Sequence, residues 1–274
     1  MEGLGLILSV DNNNARKIDD AFSINFDDDG NYILDIYIAD PISINEQKAF
    51  ELIKENINRN KSNQTISLKR FFSNCSLSER EEKDSFDFRF VISKNGDIIS
   101  FGVTEKKVLI DIEMTHDDVV DTIEEDSYLA DYLAIAYSLG EKIAKKNTSK
   151  VCFDDNFEEM SFPFPFPKEF LKLLNITLLE KCTDFNLPLI YFDFSRDESN
   201  PSCFTSVRPV NCDLYARFNS PLRCMDCLYN LMVFYEFIYC NRINDTNLIK
   251  EYSKISDGYI DLVKSYVDFN EVKK

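Results

Sequence analysis

The hydrophobic pattern of this chain changes period once, near residue 114, and that change limits the fold more than any other feature. Before it, apolar residues alternate or run in short blocks between turn residues; after it they recur at helical spacing. Residues 4–10 read as a strand leading into a polar, acid-rich loop. Asp20–Phe26 and Tyr32–Ala39 flank Asp27-Asp28-Asp29-Gly30-Asn31, which predicts a β-hairpin. Phe86–Ile92 and Ile98–Val103, joined by Ser93–Asp97, predict a second. Between the hairpins, Ser43–Asn58 has helical spacing, with Ser43 as N-cap and Glu46 three residues on. Further along, Asp117–Asp121, Ser127–Lys146, Lys168–Cys182 and Leu222–Cys240 are expected to be helices. Phe162-Pro163-Phe164-Pro165-Phe166-Pro167 cannot be helical and is an extended connector. Its aromatics either pack on their own domain or grip a partner. The expected fold is α+β: a largely antiparallel sheet from residues 1–113 and helices mainly from 114–274, in one domain.

Composition narrows the class. Of the 274 residues, 44% are hydrophobic and 29% charged, as in a water-soluble globular protein. No apolar run approaches the length that crosses a bilayer, so no membrane partner is expected. The apolar Gly3–Leu8 lacks a basic leader and reads as a buried strand. Eight cysteines at irregular spacing, without a secretory signal, predict reduced thiols and a cytoplasmic location. Cys224 and Cys227 form a lone C-x-x-C; zinc would need two more ligands from Cys203, Cys212 or Cys240, and buried thiols are the simpler reading. His116, the sole histidine, lies in an acidic stretch that reads as a surface turn. A net charge of −17 argues against coating nucleic acid over the whole surface. It leaves room for a local cationic groove and suits docking on basic proteins.

The residues that carry chemistry are concentrated in Ser9-Val10-Asp11-Asn12-Asn13-Asn14-Ala15-Arg16-Lys17-Ile18-Asp19-Asp20-Ala21. A strand ends in Asp11, and the following loop returns Asp19 and Asp20 before the next strand. Carboxylates converging at strand ends suit magnesium, which takes hard oxygen ligands. Solvated loop acids would give the same pattern, and the residues alone leave both readings open.

This stretch resembles the signature of the RNB family, the catalytic domain of ribonuclease II, ribonuclease R and the exosome's hydrolytic subunit. The family pattern is T-I-D, five residues, then D-x-D-D-A. Ser9-Val10-Asp11 and Asp19-Asp20-Ala21 match it in order and spacing. Other segments similar to family motifs follow in order: Gly30-Asn31-Tyr32 through Ile38-Ala39-Asp40-Pro41, Phe72–Leu77, Phe90–Ile99, Phe170–Asn175, Pro188–Tyr191 and Tyr215–Arg223. The resemblance implies 3′-to-5′ degradation of single-stranded RNA by metal-activated water. It implies Asp11, Asp19 and Asp20 as metal ligands and Asp19 and Arg223 as catalytic residues, with Arg223 at an RNA phosphate; Lys17 and Arg217 are further expected RNA contacts.

The pattern also fails in places. Lys17 stands where the family has a fourth aspartate, which changes the local formal charge from −4 to −2. An ammonium there repels the divalent cations the site should hold. The family's R-R-Y-x-D-L-x-V-H-R is here Arg223-Cys224-Met225-Asp226-Cys227-Leu228-Tyr229-Asn230-Leu231-Met232, and its A-E-R helix is matched only weakly by Lys250-Glu251-Tyr252. No segment resembles the cold-shock or S1 modules of full-length relatives. These losses predict a degenerate RNB domain that binds RNA or a ribonucleoprotein, such as the ribosome, for translation silencing or storage, with no cofactor. The alternative is a Mg²⁺-dependent 3′-to-5′ exoribonuclease that works with three acids.

Overall fold

The computed structural model describes residues 5–13, 15, 17–43, 49–55, 72–146, 164, 166–193, 204–205 and 214–271. The chain divides into two compact units. The first comprises Met1–Asp40, Phe72–Thr148 and Asp155–Leu174; the second comprises Pro41–Phe71, Ser149–Asp154 and Asn175–Lys274. The division does not follow the change of period near residue 114, since the helices between 116 and 146 belong with the sheet.

The first unit is built on six strands: β1 (Ile7–Asp11), β2 (Asp20–Phe26), β3 (Tyr32–Ala39), β4 (Lys83–Ile92), β5 (Ile98–Val108) and β6 (Ile112–Thr115). Their order is β5-β4-β3-β2-β1-β6, antiparallel except for the parallel pair β1–β6. The first hairpin has the expected limits. Asp27 closes its turn by accepting hydrogen bonds from the backbone N–H of Asp29 and Asn31, and Gly30 takes the φ of +73° that the turn requires. The second hairpin is longer than expected, starting at Lys83 and running to Val108. β6 was not anticipated: four residues are too short to show a period, and β1 pairs with them in parallel from across the chain.

Register sorts the side chains into two unlike faces. One carries Phe22, Ile36 and Phe88 in one row, and Ile24, Leu34, Phe90 and Phe101 in the next. Against it lie α3 (Tyr128–Lys146) and the start of α4 (Lys168–Thr183), through contacts of Phe22 with Tyr132, Phe166 and Phe170. Phe164 packs edge-on against Tyr137 and at a tilt against Phe166, so these two aromatics of the Phe-Pro connector pack on their own unit; Phe162 lies outside the described residues. The other face carries Ser23, Asp35 and Arg89, then Tyr37 and Asp87, most of them buried. Arg89 grips Asp35 through two bonds of 2.7 and 2.8 Å.

α2 spans His116–Ile123 and opens on a capping box between Thr115 and Asp118. His116 therefore begins a helix instead of sitting in a surface turn. The helical register of residues 49–55, labelled α1, agrees with the expected Ser43–Asn58 helix where described; Glu46 lies outside the described residues.

The second unit holds α1, a three-stranded sheet and the C-terminal helices. The strands are β7 (Tyr191–Asp193), β8 (Phe204–Thr205) and β9 (Leu214–Tyr215), too short to be seen as a pattern. The helix expected over Leu222–Cys240 begins later, at Met225, because Ser220-Pro221 starts a turn in which Ser220 accepts from the N–H groups of Arg223 and Cys224. α5 (Met225–Val233) then widens into a π-helical segment, Phe234–Tyr239, and α6 (Thr246–Glu271) follows. No described helix is long and apolar enough to cross a membrane.

Candidate active site

Strand register brings the expected acids to one end of the first sheet. Asp11 is the last residue of β1 and Asp20 the first of β2. Those strands pair with Leu8 opposite Phe22, a register that, continued, sets Asp11 opposite Asp19. Asp19 is fully buried, and its carbonyl accepts from Ala39 N–H at 2.7 Å. Asp40, the residue after β3, is thereby drawn to the same end; its N–H binds Asp84 O next to the start of β4. Asp40 and Asp84 are further acids of this end; Asp40 was visible only as the last letter of a strand motif.

Lys17 belongs to the same neighbourhood. Burial pushes the Cys75 thiol up to about 11, Asp40 adds to the shift, and Lys83 and Lys17 oppose it. The fields of two acids, Asp40 and Asp84, and two lysines thus meet at one buried sulfur. The segment that positions Lys17-Ile18-Asp19 is Phe72–Leu77. Ile18 N–H donates to Ser76 Oγ at 2.9 Å, and Ile18 O accepts from Leu77 N–H at 3.0 Å. That clamp holds the backbone between the lysine and the buried aspartate. The loop after β1 is tied down on its other side, where Asn13 Nδ2 donates to Asp117 Oδ2 at 2.7 Å in the first turn of α2.

The donor chemistry of this end is mixed. Asp11, Asp19 and Asp20 are hard oxygen donors of the kind magnesium takes. A cationic side chain two residues before Asp19 lowers the negative potential that would hold two such ions.

In the second unit, Tyr215–Arg223 is held by two buried asparagines. Asn175 Oδ1 accepts from Phe218 N–H at 2.9 Å, and its Nδ2 donates to Tyr215 Oη at 2.7 Å and to Asn219 Oδ1 at 3.0 Å. Asn230 exchanges bonds with both backbone groups of Ile190 and donates to Arg217 O. The guanidinium of Arg217 donates to both carboxylate oxygens of Asp226, at 3.0 and 3.1 Å, and only 15% of its side chain is exposed. Arg217, expected at the RNA, thus spends its two-pronged donor on its own unit. Arg223, on the turn before α5, is exposed.

These features agree with the comparisons. A family model described as the RNB domain matches residues 4–202. No curated protein matches the sequence. Among solved structures, the chain is similar to apo RNase R of Mycoplasma genitalium (14% identity, TM-score 0.68, 94% of this chain and 55% of that one). It is also similar to yeast Ssd1, described as a pseudonuclease (13%, TM-score 0.64, 94% and 42%). A third is an active-site mutant of the Dss1 exoribonuclease from Candida glabrata (15%, TM-score 0.62, 96% and 46%). The chain spans about half the length of these structures. With nearly three quarters of its length matched by the model, and the acid-bearing strand ends in the order that the signature requires, the chain belongs to the RNB family.

Proposed function

We propose that this chain is a catalytically silent RNB domain that binds RNA within a ribonucleoprotein in the cytoplasm. The observation that carries the reading is Lys17, an ammonium in the position of a family carboxylate, on the same clamped segment as Asp19. Three retained acids could hold one magnesium ion, and Asp11, Asp19 and Asp20 would be its ligands. Two ions held side by side would lose one ligand and face a repelling ammonium where Lys17 replaces the family's fourth carboxylate. RNA as the partner is supported by the similar RNase R, whose structures include complexes with ribose-methylated single-stranded RNA and with double-stranded RNA. A silent member of the family has a precedent in Ssd1.

The ribosome is the particle we put forward, as the target of a translation-silencing or storage factor. An acidic chain of net −17 is repelled by bare phosphate, whereas a ribonucleoprotein presents basic protein beside RNA backbone. Lys17 and Arg223 are the proposed RNA contacts. The competing reading, a Mg²⁺-dependent 3′-to-5′ exoribonuclease, rests on the retained Asp11, Asp19 and Asp20.

Sedimentation of a native lysate through sucrose separates the two. The silent binder is expected to migrate with ribosomal particles at moderate salt, to leave them at high salt, and to be unaffected by Asp19→Asn. Shortening of labelled single-stranded RNA in Mg²⁺ or Mn²⁺, abolished by Asp19→Asn, would overturn it in favour of the exonuclease.

A further inference from the structure

The family comparison leaves the Cys224–Cys227 pair without a role, yet it is placed where thiol chemistry is favoured. Cys224 is the N-cap of α5, with an extended backbone (φ −115°, ψ 128°) and a side chain that makes no cap hydrogen bond. Cys227 is the third residue of the helix, one turn on, and Cys224 O accepts from Leu228 N–H at 3.1 Å. The sulfurs of Cys224 and Cys227 and a carboxylate oxygen of Asp226 all lie within 4.8 Å of one another. Exposure is unequal: Cys224 is partly buried, whereas Cys227 is fully buried.

We propose that Cys224 and Cys227 are a thiol–disulfide exchange pair whose substrate is a low-molecular-weight disulfide such as oxidised glutathione. Cys224 is the attacking sulfur. The neighbouring Cys227 thiol, which also donates to Asp226 Oδ2 at 3.9 Å, lowers the Cys224 pKa, and although burial and Asp226 oppose this, Arg217 and Arg223 reinforce it. The first-turn N–H groups of α5 favour a thiolate in the same place. Cys227 is the resolving sulfur, held as a thiol by burial.

The exchange runs in two displacements. The Cys224 thiolate attacks one sulfur of the small disulfide, a mixed disulfide forms at Cys224, and the first small thiolate leaves. Cys227 then attacks the Cys224 sulfur, an internal disulfide forms, and the second small thiolate departs with the proton that Cys227 loses. Two electrons pass from the cysteines to the small disulfide, which ends as two thiols. Metal binding by the same three groups is opposed by Arg217, whose guanidinium holds both oxygens of Asp226 and would face the incoming cation.

The test uses the full chain equilibrated in glutathione buffers from reducing to oxidising, quenched with acid, alkylated and mapped by peptide mass. The expected result is a Cys224–Cys227 disulfide that appears before the exposed Cys240 takes up glutathione. Cys227→Ser should accumulate one glutathione adduct at Cys224, and Cys224→Ser should leave Cys227 unmodified. Both thiols staying reduced while Cys240 becomes glutathionylated would overturn the proposal. So would stoichiometric zinc in the purified protein, displaced by a thiol-blocking reagent. The mapping of the unmodified chain decides the matter even if a serine variant fails to fold.

Discussion

Asp87 shows how a single carboxylate can set a pH dependence. It is 4% exposed, its Oδ1 has no hydrogen-bond partner among the described residues, and its Oδ2 lies 3.6 Å from Lys106 Nζ. Burial pushes its pKa up to about 6, and the Asp35 charge adds to the shift while Lys106 and Arg89 oppose it. A carboxyl held more tightly protonated in the folded state than in the unfolded one stabilises the fold fully below the unfolded pKa of 3.8 and loses that contribution as pH rises through about 6. Over the whole window the effect is on the order of 2–3 kcal/mol. Falling net charge also relieves self-repulsion toward the pI near 4.5, so the comparison needed is between variants. The melting temperature should rise from pH 7 to pH 5, and Asp87→Asn should melt higher at pH 7 and rise less. Equal slopes in a thermal-shift series would exclude Asp87 as the source. Lys17 gives a second residue-level expectation. Lys17→Asp adds a ligand and removes a repelling charge together, so calorimetry should show Mg²⁺ binding tighten at least tenfold, about 1.4 kcal/mol. Unchanged binding would mean that Lys17 does not set the affinity of the acid cluster.

At the scale of elements, the turn between β9 and α5 owes its shape to a buried ion pair. Asp226 is 2% exposed and Arg217 fills both its oxygens. Removing one partner strands the other charge, so Arg217→Met should cost about 3–5 kcal/mol in urea unfolding. Arg217→Met with Asp226→Leu should recover most of that loss. A single variant as stable as the parent would show that the carboxylate finds water instead. The same turn marks a limit of the sequence. The β2–β3 hairpin was legible to the residue because two short apolar-rich runs flank Asp27–Asn31, whose acids and glycine close a turn. Leu222–Cys224 has the apolar spacing of a helix, but the N–H groups of Arg223 and Cys224 are spent on Ser220 before α5 begins. β6 and the strands of the second sheet have two to four residues each, shorter than any period. Of the candidate site, the return of Asp19 and Asp20 to the strand end at Asp11 was readable from the order of strand and loop, whereas their role as ligands came only from the family resemblance. The Ser76 clamp and the commitment of Arg217 were not readable, since both depend on partners that only the fold brings near.

At the scale of the whole molecule, an acidic chain can hold RNA only through a few local cations, and salt titration counts them. Each phosphate neutralised on a single strand contributes about −0.7 to the slope of log K against log salt. With Lys17 and Arg223 as the proposed contacts, the slope for a short single-stranded RNA should be near −1.4, and affinity should be poor at physiological salt. Lys17→Ala and Arg223→Ala should each flatten the slope by about 0.7 and weaken binding alike across sequences, because phosphate carries no base information. Arg217→Ala should leave the slope unchanged, since its guanidinium is held by Asp226, although it should lower stability. A slope several units steeper would reveal a cationic surface beyond these two residues. No measurable binding of single strands, together with salt-sensitive migration with ribosomal particles, would place the recognition in basic protein beside the RNA, the partner that a net charge of −17 suits best.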